Sequence, residues 1–363
     1  VAPPRWPAAL ERLLVRASHE VQPLASVTPI DVRAERERLA AELRAGGRVK
    51  PRWTYERRDH EGLRRALDEA ERALALEGSR PLDRLVHARV RELSLEASLC
   101  EAAGTSALAR LAAERYSPPT AEVERLASRL CANWLAEASP RDARPTMRSD
   151  DPRPGSLWSR MRAAVGALRL PFSVVLTPAL ASLAATGVET IFVASGRDLC
   201  DEDAARTVVH EIQGHALPRA RSARAELALL RAGTARGVDH QEGRALLLEQ
   251  RAGYFGPRRR RQLAARHRAV EAMLDGGTFA EVARMLVDAH GLDAADAVLV
   301  AERAFRGGDG VRAGLGRERI YLESLVWVDR HLAARPDDDA VMACGQVAVD
   351  AIDSLRPYAH AIS

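Results

Sequence analysis

Two histidines and a glutamate stand close together in Thr207-Val-Val-His-Glu-Ile-Gln-Gly-His-Ala-Leu217. Neutral imidazoles hold a divalent metal, and a carboxylate beside them can take the proton of a water that the metal activates. His210 and His215 are therefore candidate ligands, and Glu211 the candidate base, of a zinc hydrolase. The spacing sets a condition. Histidines at i and i+4 share one face of a helix, whereas positions five apart diverge by about 140° at roughly 100° per residue. One ion can reach both rings only if the helix widens by a residue or ends at the motif. Gly214 is the expected place for that distortion, as a π-type turn.

A third ligand is needed, and the next polar segment, Asp239-His-Gln-Glu-Gly-Arg-Ala-Leu-Leu-Leu-Glu249, offers Glu242 at the head of an apolar helical run. Glu249, one heptad later, falls on roughly the same helix face and is a candidate partner for a ligand imidazole. His240 is a candidate for substrate contact.

Together, His210-Glu-Ile-Gln-Gly-His215 and Gln241-Glu-Gly-Arg-Ala245 resemble the tyrosine carboxypeptidase family. That family includes the microtubule-associated tyrosine carboxypeptidases and the bacterial flavohaemoglobin expression-modulating QEGLA motif proteins. The resemblance implies one Zn2+ ion held by His210, His215 and Glu242, with Glu211 as catalytic base. It implies a metallocarboxypeptidase that cuts the C-terminal peptide bond of a peptide or protein and releases Tyr or Phe. Thr28-Pro-Ile-Asp31, Ala304-Phe-Arg-Gly307 and Arg317-Glu-Arg-Ile-Tyr-Leu322 resemble further family segments, so the resemblance covers nearly the whole chain. On the last of these rests Tyr321 as a second electrophile for the oxyanion. The terminal carboxylate calls for an arginine fork, for which Arg306, beside the glycines of Phe305-Arg-Gly-Gly-Asp309, comes first and Arg317 second. The chain departs from the family pattern at Gln213 and Gly214, where members often carry Gly then Thr, and at Arg244, where the motif has Leu. Two other readings stay open: a zinc endopeptidase or other amide hydrolase, and a non-catalytic helical regulatory protein. The intact Glu211 argues against the last.

A hydrophobic content of 47% with 29% charged residues is that of a soluble globular protein, and 363 residues can bury a substantial core as one large domain or two. Scarce aromatics, at 4%, and abundant Ala and Leu favour helices. The net charge of +4 is small, and the densest basic run, Arg258-Arg-Arg-Arg261, lacks interleaved aromatics. It reads as a solvated helix start, so no nucleic-acid partner is expected. Cys100, Cys131, Cys200 and Cys344 form no CxxC pair and read as buried hydrophobes in a reducing compartment. No apolar run approaches a membrane span and no leader pattern is visible, so a cytoplasmic protein without a membrane partner is expected.

The elements that must position these residues read as mainly α with a small β-sheet beside the metal helix, an α+β fold with a zinc-peptidase-like catalytic portion. An N-terminal helical portion, 1–150, and a catalytic portion, 151–363, are expected, separated by the Pro-, Arg- and Asp-rich stretch 138–157. Asp31 can cap a helix running to about Ala45, and Pro51–Tyr55 reads as extended. From His60 to Glu137 the pattern is helical, with Thr120 opening its last helix. Strands are expected at Phe172–Thr177 and Glu189–Ala194, joined by a helix over Pro178–Ala185. By analogy with small zinc peptidases, an edge strand beside the metal helix could hold an extended peptide. The motif helix should run from about Glu202, with the acidic first turn Asp201–Asp203, to Leu217, stopped by Pro218. Later helices are expected near 222–231, after a loop over Gly233–Gly237 as the helix that carries Glu242 and ends near Gly256-Pro257, and over 259–274, 279–289, 293–305, 318–334 and 338–355.

Overall fold

A computed structural model of the protein describes residues 6–30, 32–77, 80–137, 145–178 and 180–359. The fold is mainly α with a small sheet, as the periodicities require. The N-terminal helices Glu61–Glu77 and Pro81–Glu101 bury their apolar stripes, Leu63, Leu67 and Leu74 on one and Leu82, Val86, Val90 and Leu93 on the other. The hydroxyl of Thr120 accepts the Val123 N–H at 3.2 Å and starts helix Ala121–Ala136. Asp31 lies outside the described residues; the helix expected after it spans Val32–Arg44. Pro51–Tyr55 pairs with no strand, although its Thr54 carbonyl accepts the Ile30 N–H at 2.9 Å. The expected linker lies partly outside the described residues, at 138–144. Side chains from both sides of that stretch, such as Leu93 and Val86 with Leu246 and Ile352, share one hydrophobic core. All four cysteines are free and buried.

Three strands form the sheet that faces the motif. Thr190–Ala194 lies in the middle, parallel to Ser173–Thr177 and antiparallel to Ala184–Thr186. Its alternation is that of a half-buried strand: Ile191 and Val193 point into a core with Leu157, Met161 and Ile212, while Phe192 is partly exposed. The helix expected over Pro178–Ala185 does not form among the described residues. The end of that segment becomes the third strand instead, closed by a Gly187 N–H to Thr190 carbonyl bond of 2.7 Å. Its Ala-rich composition suits a helix, but pairing with the central strand supplies hydrogen bonds and burial together, and that outweighs propensity.

The motif helix is one continuous rod of three kinds of turn: α over Asp201–Val208, π over Val209–Ala216, and α again over Leu217–Ser222. Pro218 does not stop it: the helix runs on through the proline to Ser222. One face, with Ile212 and Ala216, packs on the core behind the sheet. The other packs on helix Gly237–Arg251, where a Cβ on Gly214 would come within 2.5 Å of the Ala245 Cβ. Gly214 therefore serves close helix approach, and its φ is not left-handed. Gly243 has the same role one side further, since its Cβ would meet the Ser324 carbonyl oxygen at 2.4 Å on helix Ile320–Ala334.

Two later helices are shorter than their patterns. The segment expected over 222–231 is helical only at Ala228–Ala232, and the one over 338–355 breaks into Asp338–Met342, a 3-10 turn at Val349–Ala351, and Ile352–Ala359. The break lets Gln346 reach the loop before the ligand helix, where its carbonyl accepts the Thr234 N–H at 2.9 Å. The others lie close to expectation, at Pro257–Leu274, Phe279–Asp288, Ala294–Phe305 and Ile320–Ala334.

Candidate metal centre

The π-type stretch does what the five-residue spacing demands. It turns the two imidazoles of the motif helix to the same side, with His210 Nε2 and His215 Nε2 3.2 Å apart. The neighbouring helix brings Glu242 Oε2 to 3.4 Å from the first and 3.6 Å from the second. Ligand atoms about 2.0–2.1 Å from a tetrahedral ion stand roughly 3.3 Å from one another, so this triangle has the dimensions of a zinc site. Glu242 Oε2 is buried and has no hydrogen-bond partner, which is costly for a carboxylate oxygen unless a cation meets it. These three are the residues whose ligand atoms cluster among the described residues.

Both imidazoles are held from behind. His210 Nδ1 lies 2.7 Å from Glu249 Oε1, and His215 Nδ1 lies 2.9 Å from Gln241 Oε1. An N–H at each Nδ1 leaves both Nε2 lone pairs turned toward the centre. Glu249 is fully buried and takes a two-pronged grip from Arg259, at 2.7 Å on each oxygen. Burial works against charge on His210, but the carboxylates of Glu242 and Glu249 outweigh it and push its pKa up to about 9. Burial likewise opposes charge on Glu242, yet the two histidines and Arg317 hold it well below the usual carboxylate range. The Arg317 contact is 3.0 Å, from Nη2 to Glu242 Oε1. Oε1 is thus occupied and Oε2 left for the centre.

Glu211 is buried and tethered to the sheet: the Thr186 hydroxyl donates to its Oε2 over 2.8 Å. Tyr321 is buried beside the ligand set, its hydroxyl 3.4 Å from Arg317 Nη1. Arg317, the second candidate for a substrate carboxylate, is engaged by Glu242 and by the Tyr321 ring. Arg306 lies in a neighbouring cluster, where Arg303 and Arg306 approach Glu318 at 2.9 and 3.7 Å and Arg306 feels the charge of Tyr321. Its Nε and Nη2 make no hydrogen bond. The glycines beside it are not a free flap, because Tyr55 pins them: its hydroxyl donates to the Gly308 carbonyl at 2.8 Å and accepts the Gly307 N–H at 3.0 Å.

His240 is buried, its Nδ1 accepts the Val349 N–H at 2.8 Å, and burial pulls its pKa down to about 4. One expectation is corrected here. The run Arg258–Arg261 does begin a helix, but it is not a freely solvated face: Arg259 is buried and the other three are half-buried and engaged. Arg259 grips Glu249, Arg258 pairs with Asp203 at 2.6 Å, Arg260 with Glu137 at 2.7 Å, and Arg261 bonds the Leu135 carbonyl at 2.9 Å. Sequence reasoning also missed Gln241 and Thr186. The first was signalled by its place next to Glu242; the second had no local signal.

A sequence profile described as microtubule-associated tyrosine carboxypeptidase matches residues 42–361. The chain belongs to this family. The match includes every residue of the metal triangle and its supports, while the Thr28–Asp31 segment lies before it. Membership implies carboxypeptidase chemistry on a peptide or protein. Comparison with curated proteins gives no match. Among the described residues no helix is long and apolar enough to cross a membrane.

Proposed function

We propose that this protein is a zinc-dependent carboxypeptidase that hydrolyses the last peptide bond of a peptide or protein and releases Tyr or Phe. The observation that carries the zinc reading is the triangle of His210 Nε2, His215 Nε2 and the orphaned Glu242 Oε2, at 3.2–3.6 Å. When bound, the metal supplies Lewis acidity and a water acidic enough to attack near neutral pH. The chain does the rest. Glu249 and Gln241 hold the ligand imidazoles in the tautomer that faces inward. Glu211, oriented by Thr186, takes the attacking water's proton and returns it to the leaving amine. Tyr321, beside Arg317, donates to the oxyanion of the transition state. Arg306, whose Nε and Nη2 make no hydrogen bond, reads the substrate's terminal carboxylate. A cytoplasmic setting belongs to the same reading, supported by four unpaired cysteines.

The test is a peptide library varied at its C-terminus, read by mass spectrometry. Loss of a single terminal Tyr or Phe is expected, blocked when the terminus is amidated. Glu211→Gln should keep the metal and lose roughly 10²–10⁴ in rate, the usual contribution of a general base. Efficient cutting of amidated or internal sites would make the protein an endopeptidase.

A further inference from the structure

The motif helix leaves one of its own carbonyls short of a backbone donor. In the widened stretch an N–H reaches five residues back, and that of Leu217 still does so, to the Ile212 carbonyl. The next carbonyl belongs to Gln213, and the residue five further on is Pro218, which has no N–H to give. A neighbouring helix supplies the donor instead. Arg244 Nη1 donates to the Gln213 carbonyl over 3.2 Å. The guanidinium is buried and aimed by Asp339, which accepts from Nε at 2.8 Å and from Nη2 at 3.3 Å. Gln213 lies two residues before His215, and Arg244 two residues after Glu242. One side chain therefore joins the turn that carries a histidine to the helix that carries the carboxylate.

We propose that Arg244 is a positioning residue of the metal centre. Its guanidinium takes the place of the N–H that Pro218 lacks, closes the end of the π-type turn, and keeps His215 in the register that faces His210 and Glu242. The inference rests on the zinc reading above. It explains how a helix can carry a proline immediately after a widened turn without fraying there, and it gives Asp339 a role as the group that aims Arg244.

A defect at Arg244 should be repaired by giving Pro218 back its N–H. Zinc affinity is measured by competition with a chelator, and the cobalt-substituted protein is compared by its visible absorption spectrum. Arg244→Leu should bind zinc about 10–100-fold more weakly, the usual effect of removing a group that supports a metal ligand. Its cobalt spectrum should change as His215 loses its place. Pro218→Ala alone should stay within about twofold of wild type, and Pro218→Ala/Arg244→Leu should return to within about twofold, a non-additivity that the double-mutant cycle reads as coupling between the two positions. If Arg244→Leu cannot be purified folded, Arg244→Lys takes its place, since a single ammonium drawn to Asp339 cannot also fork to the Gln213 carbonyl. Unchanged zinc affinity and spectrum in the Arg244 variant, or a loss that Pro218→Ala does not restore, overturns the positioning role. A wild-type protein that binds no zinc overturns the metal-centre reading itself, which is a different result.

Discussion

At the scale of single residues, the centre depends on what stands behind each functional group. Thr186 reaches Glu211 from the sheet at 2.8 Å, a bond a methyl group cannot make. Thr186→Val keeps the shape and removes the hydroxyl, so kcat should fall roughly tenfold with KM and zinc content unchanged; steady-state kinetics and metal analysis decide it. Glu249 is a stronger case. Burial opposes its charge, but Arg259 and His210 outweigh burial and hold its carboxylate well below the usual range. A depressed folded pKa contributes stability that is present above the unfolded value, near 4.3, and is lost as pH falls toward the folded one. The metal-free protein should therefore lose melting temperature progressively below about pH 4, and Glu249→Gln should flatten part of that slope. The same substitution leaves Arg259 buried without its anion, which should cost about 3–5 kcal/mol at neutral pH in a denaturant titration.

Between elements, small residues decide how close the helices come. The Ala245 side chain occupies the space that a Cβ on Gly214 would need, at 2.5 Å. Gly214→Ala should therefore destabilise by about 1–3 kcal/mol through overpacking and weaken zinc binding, because the two ligand-bearing helices are forced apart. Ala245→Gly in the same chain should recover part of both losses; a double-mutant cycle showing no coupling would place the strain elsewhere. The π-type stretch is an element-scale solution to a residue-scale spacing. It holds its shape between a sheet-side core through Ile212 and a helix-side contact through Gly214.

Across the whole molecule, the ligand helix is anchored to the N-terminal helices by buried charge. Arg115 reaches Asp239 at 2.8 Å and Glu96 at 2.7 Å, and lies 3.3 Å from Glu92. Arg115→Met would leave three buried carboxylates with less cation than they need. A loss of about 3–5 kcal/mol is expected in chemical denaturation, the usual result of removing one partner from a buried ionic set. Because Asp239 lies one turn before Glu242, zinc affinity should fall in the same variant.

The sequence by itself pointed to His210, His215 and Glu242 as one cluster with Glu211 beside it, and to the need for an irregular helix, because rings five residues apart cannot face one point from a regular α-helix. It also determined the helical stripes, since burial of every third or fourth apolar residue is a local property of the chain. Tertiary structure decided what local pattern cannot encode. The segment before Gly187 became a strand because a partner strand lay beside it, and the arginines of Arg258–Arg261 were drawn into pairs because carboxylate and carbonyl partners from other segments stand beside them. The helix continued through Pro218, where Arg244 from another helix bonds the carbonyl that Pro218 cannot reach. In each case the deciding energy is a contact between residues far apart in the chain, which no window of sequence contains.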